Sequence, residues 1–293
     1  MKLVQKVALA IRSRFHPLHH LRRNRFYQRV LQPLFDIPLP ANLCMRHPVY
    51  LRLLTHFSFL FLSQKMEERL LSTLVKIIGH MEEGKHTFVD VGANIGLYTW
   101  HALNAKPNLH VAAFEPDPLN GRLLKKTKQK WGASNLSLHF SAASNENGQA
   151  TFSQDLLSSA TGSLNQTERS FAEQHYGQRQ SLIEVETMTL DSAVANLPPP
   201  ALLKIDVEGH EKEVLEGAGE LLERHRPILL IESFGKKAKG FREVLEPLDY
   251  QFWDADHACA VSRETMNYLC LVPGETGKLL LEDLVNLGFS IDC

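Results

Sequence analysis

Asp206-Val-Glu-Gly-His-Glu211 gathers three carboxylates and an imidazole into six consecutive residues, with Gly209 permitting a tight turn. A group of this kind can move a proton. A hydroxyl oxygen is a poor nucleophile unless a base removes its proton as it attacks, and His210 suits that task near neutral pH. Glu208 or Asp206 would then orient the imidazole ring. Asp206 is equally suited to contact the amino group of a bound cofactor. Asp206, Glu208 and His210 could alternatively bind a divalent cation, but no metal is assigned. Glu211 reads as an exposed acid in the first turn of a following helix.

A second constellation lies upstream, in Thr87-Phe-Val-Asp-Val-Gly-Ala-Asn-Ile-Gly-Leu-Tyr-Thr99. Phe88, Val89 and Val91 form a short apolar run of the kind buried in a parallel sheet, carrying Asp90. A glycine turn follows at Gly92–Gly96, and a helical pattern starts at Ile95. Strand, turn and helix in this order let a nucleotide-like cofactor approach the backbone closely. The same pattern also serves ordinary strand–helix junctions, so a further signal is needed. A dinucleotide fingerprint would place a glycine where Asn94 stands, for close approach to a pyrophosphate; a P-loop would require Gly-Lys-Ser/Thr. Both are missing. Nineteen residues after Gly96, the run Val111–Phe114 ends in Glu115. An acid at that strand tip is placed to accept hydrogen bonds from both ribose hydroxyls. A ribose-bearing cofactor with a small charged head group fits, and S-adenosylmethionine has that shape. A nicotinamide-dependent oxidoreductase fits poorly.

These residues need elements to hold them. From Lys85 onward the pattern alternates strand and helix, led in by an amphipathic helix over Met66–His80. Further strands are expected at Leu109–Glu115, Leu136–Ser141, Ala201–Asp206 and Pro227–Glu232. Helices are expected at Asn120–Trp131, Glu211–Arg224 and Phe241–Leu248, and strands at Tyr250–Asp254 and Tyr268–Val272. Ile183–Met188 and Leu190–Ala195 read as a strand and a short helix. Ligands bind at the C-terminal edge of an open parallel sheet, so Glu115, Asp206 and Glu232, each ending a strand, are expected to line one crevice with Asp90 close by. Gln154–Ser181 is rich in Ser, Gln and Thr and reads as a functional loop or lid. Ahead of the core, Leu31–Ile37 and Leu43–Leu53 read as extended pieces of a small cap. Phe57–Leu62 reads as packing within core or cap. The expected division is a basic N-terminal helix and cap over residues 1–65, then one α/β domain over 66–293.

A hydrophobic content of 44% with 22% charged residues is ordinary for a soluble globular chain. The net charge of −1 gives no case for nucleic-acid binding. The charge is unevenly spread, however. Residues 1–50 hold nine Lys/Arg and a single acid, Asp36, a balance of +8 that leaves −9 on the remainder. Met1–Phe15 places Leu3, Val4, Val7, Ala8 and Ile11 on one helical face with basic residues around it. Residues 1–30 could therefore make peripheral contact with an anionic membrane; a short helix packed on the body is the plainer alternative. No stretch approaches the roughly 20 apolar residues that span a bilayer, and Met1–Leu9 is too short and interrupted for a secretory core. Cys44, Cys259, Cys270 and Cys293 form no C-x-x-C pair, which suits a reducing, cytoplasmic setting.

Four motifs together resemble the FkbM family of S-adenosylmethionine-dependent methyltransferases: Phe88–Thr99, Ala113-Phe-Glu-Pro-Asp-Pro118, Thr189-Leu-Asp191 and Leu203–Ala218 followed by Pro227–Glu232. The resemblance covers roughly residues 85–275. It implies a class I methyltransferase (Rossmann-like) sheet of seven strands ordered 3-2-1-4-5-7-6, mostly parallel with the last strand antiparallel. It also implies methyl transfer to oxygen, often a hydroxyl of a sugar, glycolipid or other small molecule. By resemblance, Asp90, Gly92, Ala93, Asn94 and Gly96 would hold the methionine end of S-adenosyl-L-methionine, and Glu115 with Pro116 the ribose. Ser141, Ala142 and Ala143 would lie near the adenine, and Ser159–Ser163 on the acceptor side. A catalytically silent cofactor-binding or scaffold module is the competing expectation.

Overall fold

The computed structural model describes residues 19–43, 45–57, 59, 68–164, 181–233, 238–256, 259–262, 265–274 and 282–283. The chain enters through helix α1 (His19–Arg22), a π-helical turn (Tyr27–Leu31) continuous with α2 (Gln32–Phe35), and strands β1 (Pro38–Ala41) and β2 (Val49–Arg52). Next come α3 (Glu68–His80), β3 (Thr87–Val91), α4 (Leu97–Ala105), β4 (His110–Phe114), α5 (Pro118–Trp131) and β5 (Leu136–His139). Strands β6 (Ala142–Ala143), β7 (Gly148–Gln154) and β8 (Ser181–Met188) then precede α6 (Leu190–Val194). The chain returns through β9 (Pro200–Ile205), α7 (Glu211–Glu216), α8 (Gly219–His225), β10 (Ile228–Glu232) and α9 (Ala238–Leu245). It finishes with β11 (Gln251–Asp254), β12 (Cys259–Ala260) and β13 (Asn267–Leu271).

The main sheet runs β5-β4-β3-β9-β10-β13-β11-β12. From β5 to β10 all neighbours are parallel, and β13 is antiparallel to both β10 and β11. Seven of its strands reproduce the expected 3-2-1-4-5-7-6 order; the two-residue β12 is an eighth at the edge. The chain winds outward from β3 in one direction and from β9 in the other. The junction of β3 and β9 is thus the switch point, where a ligand crevice forms at the strand C-termini.

Both faces of this sheet are covered, which is why its strands read as apolar runs. Phe88, Val111, Ala113, Leu202 and Leu230 point into one core with Trp100, Leu74 and Ile77. Val89, Val91, Ala112, Phe114, Leu203, Ile205 and Ile231 point into the other with Val214, Leu215 and Phe241. Helix α5 has clear local causes. Asp117 caps it by accepting from the Leu119 N–H, Pro118 sits in its first turn, and Gly132 ends it in a left-handed conformation.

Several expectations are corrected. Leu31–Phe35 is helical rather than extended, because Pro33 falls in the first turn of α2, where a missing N–H costs nothing. Of Leu43–Leu53, only Val49–Arg52 is strand, paired antiparallel with β1. The helix expected over Glu211–Arg224 is broken in two at Gly217: a Cβ there would lie 2.0 Å from the Ser144 carbonyl oxygen. The polar insertion is flanked by an antiparallel pair, β7 with β8, to which β6 adds in parallel. Residues 1–18, 60–67 and 165–180 lie outside the described residues, and with them the helix Met1–Phe15, most of Phe57–Leu62 and most of Gln154–Ser181. Among the described residues no helix is long and apolar enough to cross a membrane.

Candidate active site

The turn after β3 is built by its own backbone. Gly92 and Ala93 both donate their N–H to the Phe114 carbonyl, at 3.1 and 2.9 Å, tying the tip of β3 to the tip of β4. Gly92 has φ +77°, and a Cβ there would meet the Asp206 carbonyl oxygen at 1.9 Å. The close approach that requires this glycine is therefore made by the chain's own backbone, at Asp206 just past β9. Asn94, at φ +53°, turns the chain left-handed, and its Oδ1 accepts the Ile95 N–H at 2.7 Å. Gly96 is the left-handed N-cap of α4. Asp90 is fully buried and accepts from the Thr99 N–H at 3.0 Å and the Thr99 hydroxyl at 2.6 Å. Asp90 thus fastens α4 to β3.

Glu115 stands at the tip of β4 with its carboxylate inside the turn. Oε2 accepts the Asn94 N–H at 2.7 Å; Oε1 accepts the Asp117 N–H at 2.9 Å and Asn120 Nδ2 at 3.4 Å. Burial pushes its pKa up to about 7, opposed by the N–H groups of Asp117 and Asn94. Asn94 Nδ2 donates in turn to the Ser159 carbonyl at 2.5 Å. The Ser159 hydroxyl donates to Asn120 Oδ1 at 3.0 Å. The Ser163 hydroxyl donates to the Glu208 carbonyl at 3.0 Å. The segment 159–163 therefore joins the Gly92–Gly96 turn to the second motif.

In that motif Glu208 (φ +55°) and Gly209 (φ +101°) reverse the chain after β9. His210 takes up the N-cap of α7, with Nε2 3.0 Å from the Ser144 hydroxyl and Nδ1 3.5 Å from Glu213 Oε2. The ring is held by Ser144 and Glu213, where the sequence suggested Glu208 or Asp206. Helix geometry explains the substitution: Glu213 lies one turn along α7 from His210. Burial lowers the His210 pKa, against the opposing charges of Glu213 and Glu216, so the ring is neutral near pH 7. Glu211 is also corrected. It is 2% exposed, accepting the Gly209 N–H at 2.6 Å and lying 3.3 Å from the Ser233 hydroxyl. It locks the turn from within.

Sequence reasoning missed Lys204. It is 2% exposed one residue before the end of β9, beside Asp90 in register, with Nζ 2.8 Å from Asp206 Oδ2 and 4.5 Å from the centre of the Tyr98 ring. Burial alone would lower its pKa; Asp206, Glu232 and Asp90 together raise it above the ordinary lysine value. Its signal was a lone lysine inside an apolar run, two residues before an acid. Ser144 carried no comparable signal, because its partner His210 is 66 residues away.

An open cleft lies over the switch point. Of the expected site residues, Gly92, Asn94, Glu115, Pro116, Ala142, Asp206, Glu208 and His210 line it, with Ser141, Ala143 and Ser159. Asp90, Ala93 and Gly96 stand behind it as supports. Glu232 does not line it either; its charge faces Lys204. The Ser141 hydroxyl is buried without a hydrogen-bond partner at the wall of this cleft. An orphaned polar atom there, and a carboxylate whose oxygens keep further lone-pair directions, fit an adenosyl group. No three His, Cys, Asp or Glu side chains among the described residues gather to hold a metal ion.

A seven-strand order with an antiparallel final strand, and a cleft at its switch point, define a class I methyltransferase fold. The Methyltransferase FkbM domain matches residues 90–256, more than half of the chain, and the chain belongs to that family. It is 26% identical over 152 residues to the hexuronic acid methyltransferase AglP of Haloferax volcanii, covering 51% of this chain and 57% of that protein. It is 27% identical over 164 residues to the 2-O-methyltransferase NoeI of Sinorhizobium fredii, covering 52% and 65%. The match spans less than two thirds of either relative. Among solved structures, the methyltransferase FkbM from Methylobacillus flagellatus KT is 18% identical with a TM-score of 0.46, covering 66% of this chain and 45% of that one. An O-methyltransferase from Bacillus cereus is 13% identical with a TM-score of 0.39, covering 71% and 81%.

Proposed function

We propose that the protein is an S-adenosylmethionine-dependent O-methyltransferase acting on a hydroxyl of a sugar, glycolipid or other small-molecule acceptor. The observation that carries this reading is the single cleft in which Glu115 and Asn94 face His210 and Asp206 across the switch point. Asn94 and Glu115 would hold the amino-acid and ribose parts of the cofactor, with Ser141–Ala143 beside the adenine. When bound, the cofactor supplies an electrophilic methyl group on a sulfonium that leaves as a neutral thioether. The chain's own work is then positioning and proton removal. With Nδ1 toward Glu213, His210 Nε2 would be the basic nitrogen; an acceptor hydroxyl would take the place of the Ser144 hydroxyl 3.0 Å from it and give up its proton there as the new carbon–oxygen bond forms. Two relatives whose names specify a hexuronic acid substrate and a 2-O position support an oxygen acceptor on a sugar.

Titration calorimetry with S-adenosylmethionine and with NAD tests the class, and binding of NAD alone would overturn it. A mass-spectrometric search for methylated products in glycan and small-molecule extracts tests the acceptor. His210→Ala should lower turnover by roughly 10²–10⁴-fold with cofactor affinity nearly intact. An unaltered rate removes His210 as the base.

A further inference from the structure

We propose that the outer face of residues 21–37 docks on an anionic lipid surface. Ten large hydrophobic side chains are exposed among the described residues, and five of them, Leu21, Phe26, Leu34, Phe35 and Ile37, fall in this one segment. Single exposed apolar residues need no explanation, but a concentration of this kind marks an interaction surface. The exposures are large: 61% for Phe26 and 66% for Leu34.

The helical stretch from Arg25 to Phe35 has two sides. Tyr27 and Gln32 turn inward and are nearly inaccessible. Gln32 Nε2 donates to the Leu156 carbonyl at 2.8 Å, anchoring that side to the body. Phe26, Val30 and Leu34 lie four residues apart along the outer side, with Arg25 and Arg29 in the adjacent row. Arg25 and Arg29 are exposed, as is Arg23 before them. Arg22 is turned inward to the carbonyls of Leu54 and Thr55.

The charge complement decides the partner. Asp36 is the one acid among residues 19–43, and it is buried 2.9 Å from Arg52. The outer face of this segment thus offers cations beside an apolar row and no carboxylate of its own. An apolar stripe flanked by arginines suits insertion at the headgroup boundary of an anionic bilayer. Duplex nucleic acid would leave Phe26, Leu34, Phe35 and Ile37 without apolar partners, and a single strand could stack bases on Phe26 and Phe35 but would leave Leu34 and Ile37 uncovered. This surface is independent of the methyl-transfer reading, since neither cofactor nor acceptor enters the argument.

Co-sedimentation of the full chain with vesicles of phosphatidylcholine, with and without phosphatidylglycerol, tests it. Binding is expected only with the anionic lipid and should weaken as salt rises. R25E/R29E and F26S/L34S should each reduce the apparent affinity about tenfold or more, with circular dichroism verifying that both variants are folded. Equal binding to both vesicle types overturns the proposal, as does binding that survives in both variants. Loss of binding only when residues 1–18 are deleted would assign it to that segment instead. A dimer in sedimentation velocity that F26S/L34S abolishes, without vesicle binding by the parent, would make a second copy the occupant and likewise overturn it.

Discussion

Glu115 holds a proton more tightly than a free glutamate because burial raises its pKa to about 7. Between roughly pH 4.3, where the unfolded side chain titrates, and about 7, the folded chain binds more protons than the unfolded one. The contribution of this group to stability therefore falls as pH rises through that window. On the proposed reading Glu115 receives the ribose hydroxyls, which donate best to the ionised carboxylate, so a cofactor binding there below about pH 7 would expel the proton. Calorimetry near pH 6 (about one unit below that pKa), in two buffers of different ionisation enthalpy, should show proton release that fades toward pH 8. Glu115→Gln should abolish the release and weaken binding by about 1–3 kcal/mol. Unchanged affinity would leave Glu115 only the task of bracing the Asn94 N–H. Lys204 makes the reverse case. Removing its charge in Lys204→Met leaves the carboxylates of Asp206, Glu232 and Asp90 without their shared cation, a loss of about 3–5 kcal/mol. Urea denaturation should show this deficit shrinking on acidification, as the carboxylates take up protons.

At the scale of elements, the loop after β7 is where cap and cleft meet. Asp155 organises it by accepting from the Leu157 N–H at 2.9 Å, the Ser158 N–H at 3.0 Å and the Thr161 hydroxyl at 3.1 Å. Gln32 in α2 fastens it from one side, and Asn94 and Asn120 hold Ser159 on the other. Gln32→Leu should therefore weaken S-adenosylmethionine binding severalfold, in keeping with about 0.5–1.5 kcal/mol for one hydrogen bond. If calorimetry shows unchanged affinity while the melting temperature falls, the cap braces the fold and not the site. These links explain what was legible in the sequence. The sheet strands could be read because burial on both faces makes them short apolar runs, and two of the acids at their ends, Glu115 and Asp206, mark the crevice while Glu232 does not. Strand β7, Gly-Gln-Ala-Thr-Phe-Ser-Gln, gave no such run because its first four residues are partly or fully exposed. The Ser144–His210, Gln32–Leu156 and Asn94–Ser159 contacts each join distant segments, so no local spacing announces them.

At the scale of the whole molecule, side chains on the two sides of the boundary expected near residue 65 pack together. Ala41, Leu43, Met45, Val49 and Leu51 of the cap are all buried in the same core as Phe88, Ile95 and Trp100. Tyr50 donates its N–H to the Thr127 hydroxyl of α5 at 3.0 Å, and Trp131 Nε1 donates to the Pro48 carbonyl at 3.1 Å. A fragment of residues 66–293 would expose the facing apolar surface and free these polar partners. Five such side chains represent on the order of 10 kcal/mol of burial as an upper bound. That is comparable with the 5–15 kcal/mol total of an ordinary domain. The fragment should consequently lack a cooperative urea transition, while the full chain unfolds in one step followed identically by fluorescence and circular dichroism. A fragment with a sharp transition at the parent midpoint would show instead that the cap is an accessory layer.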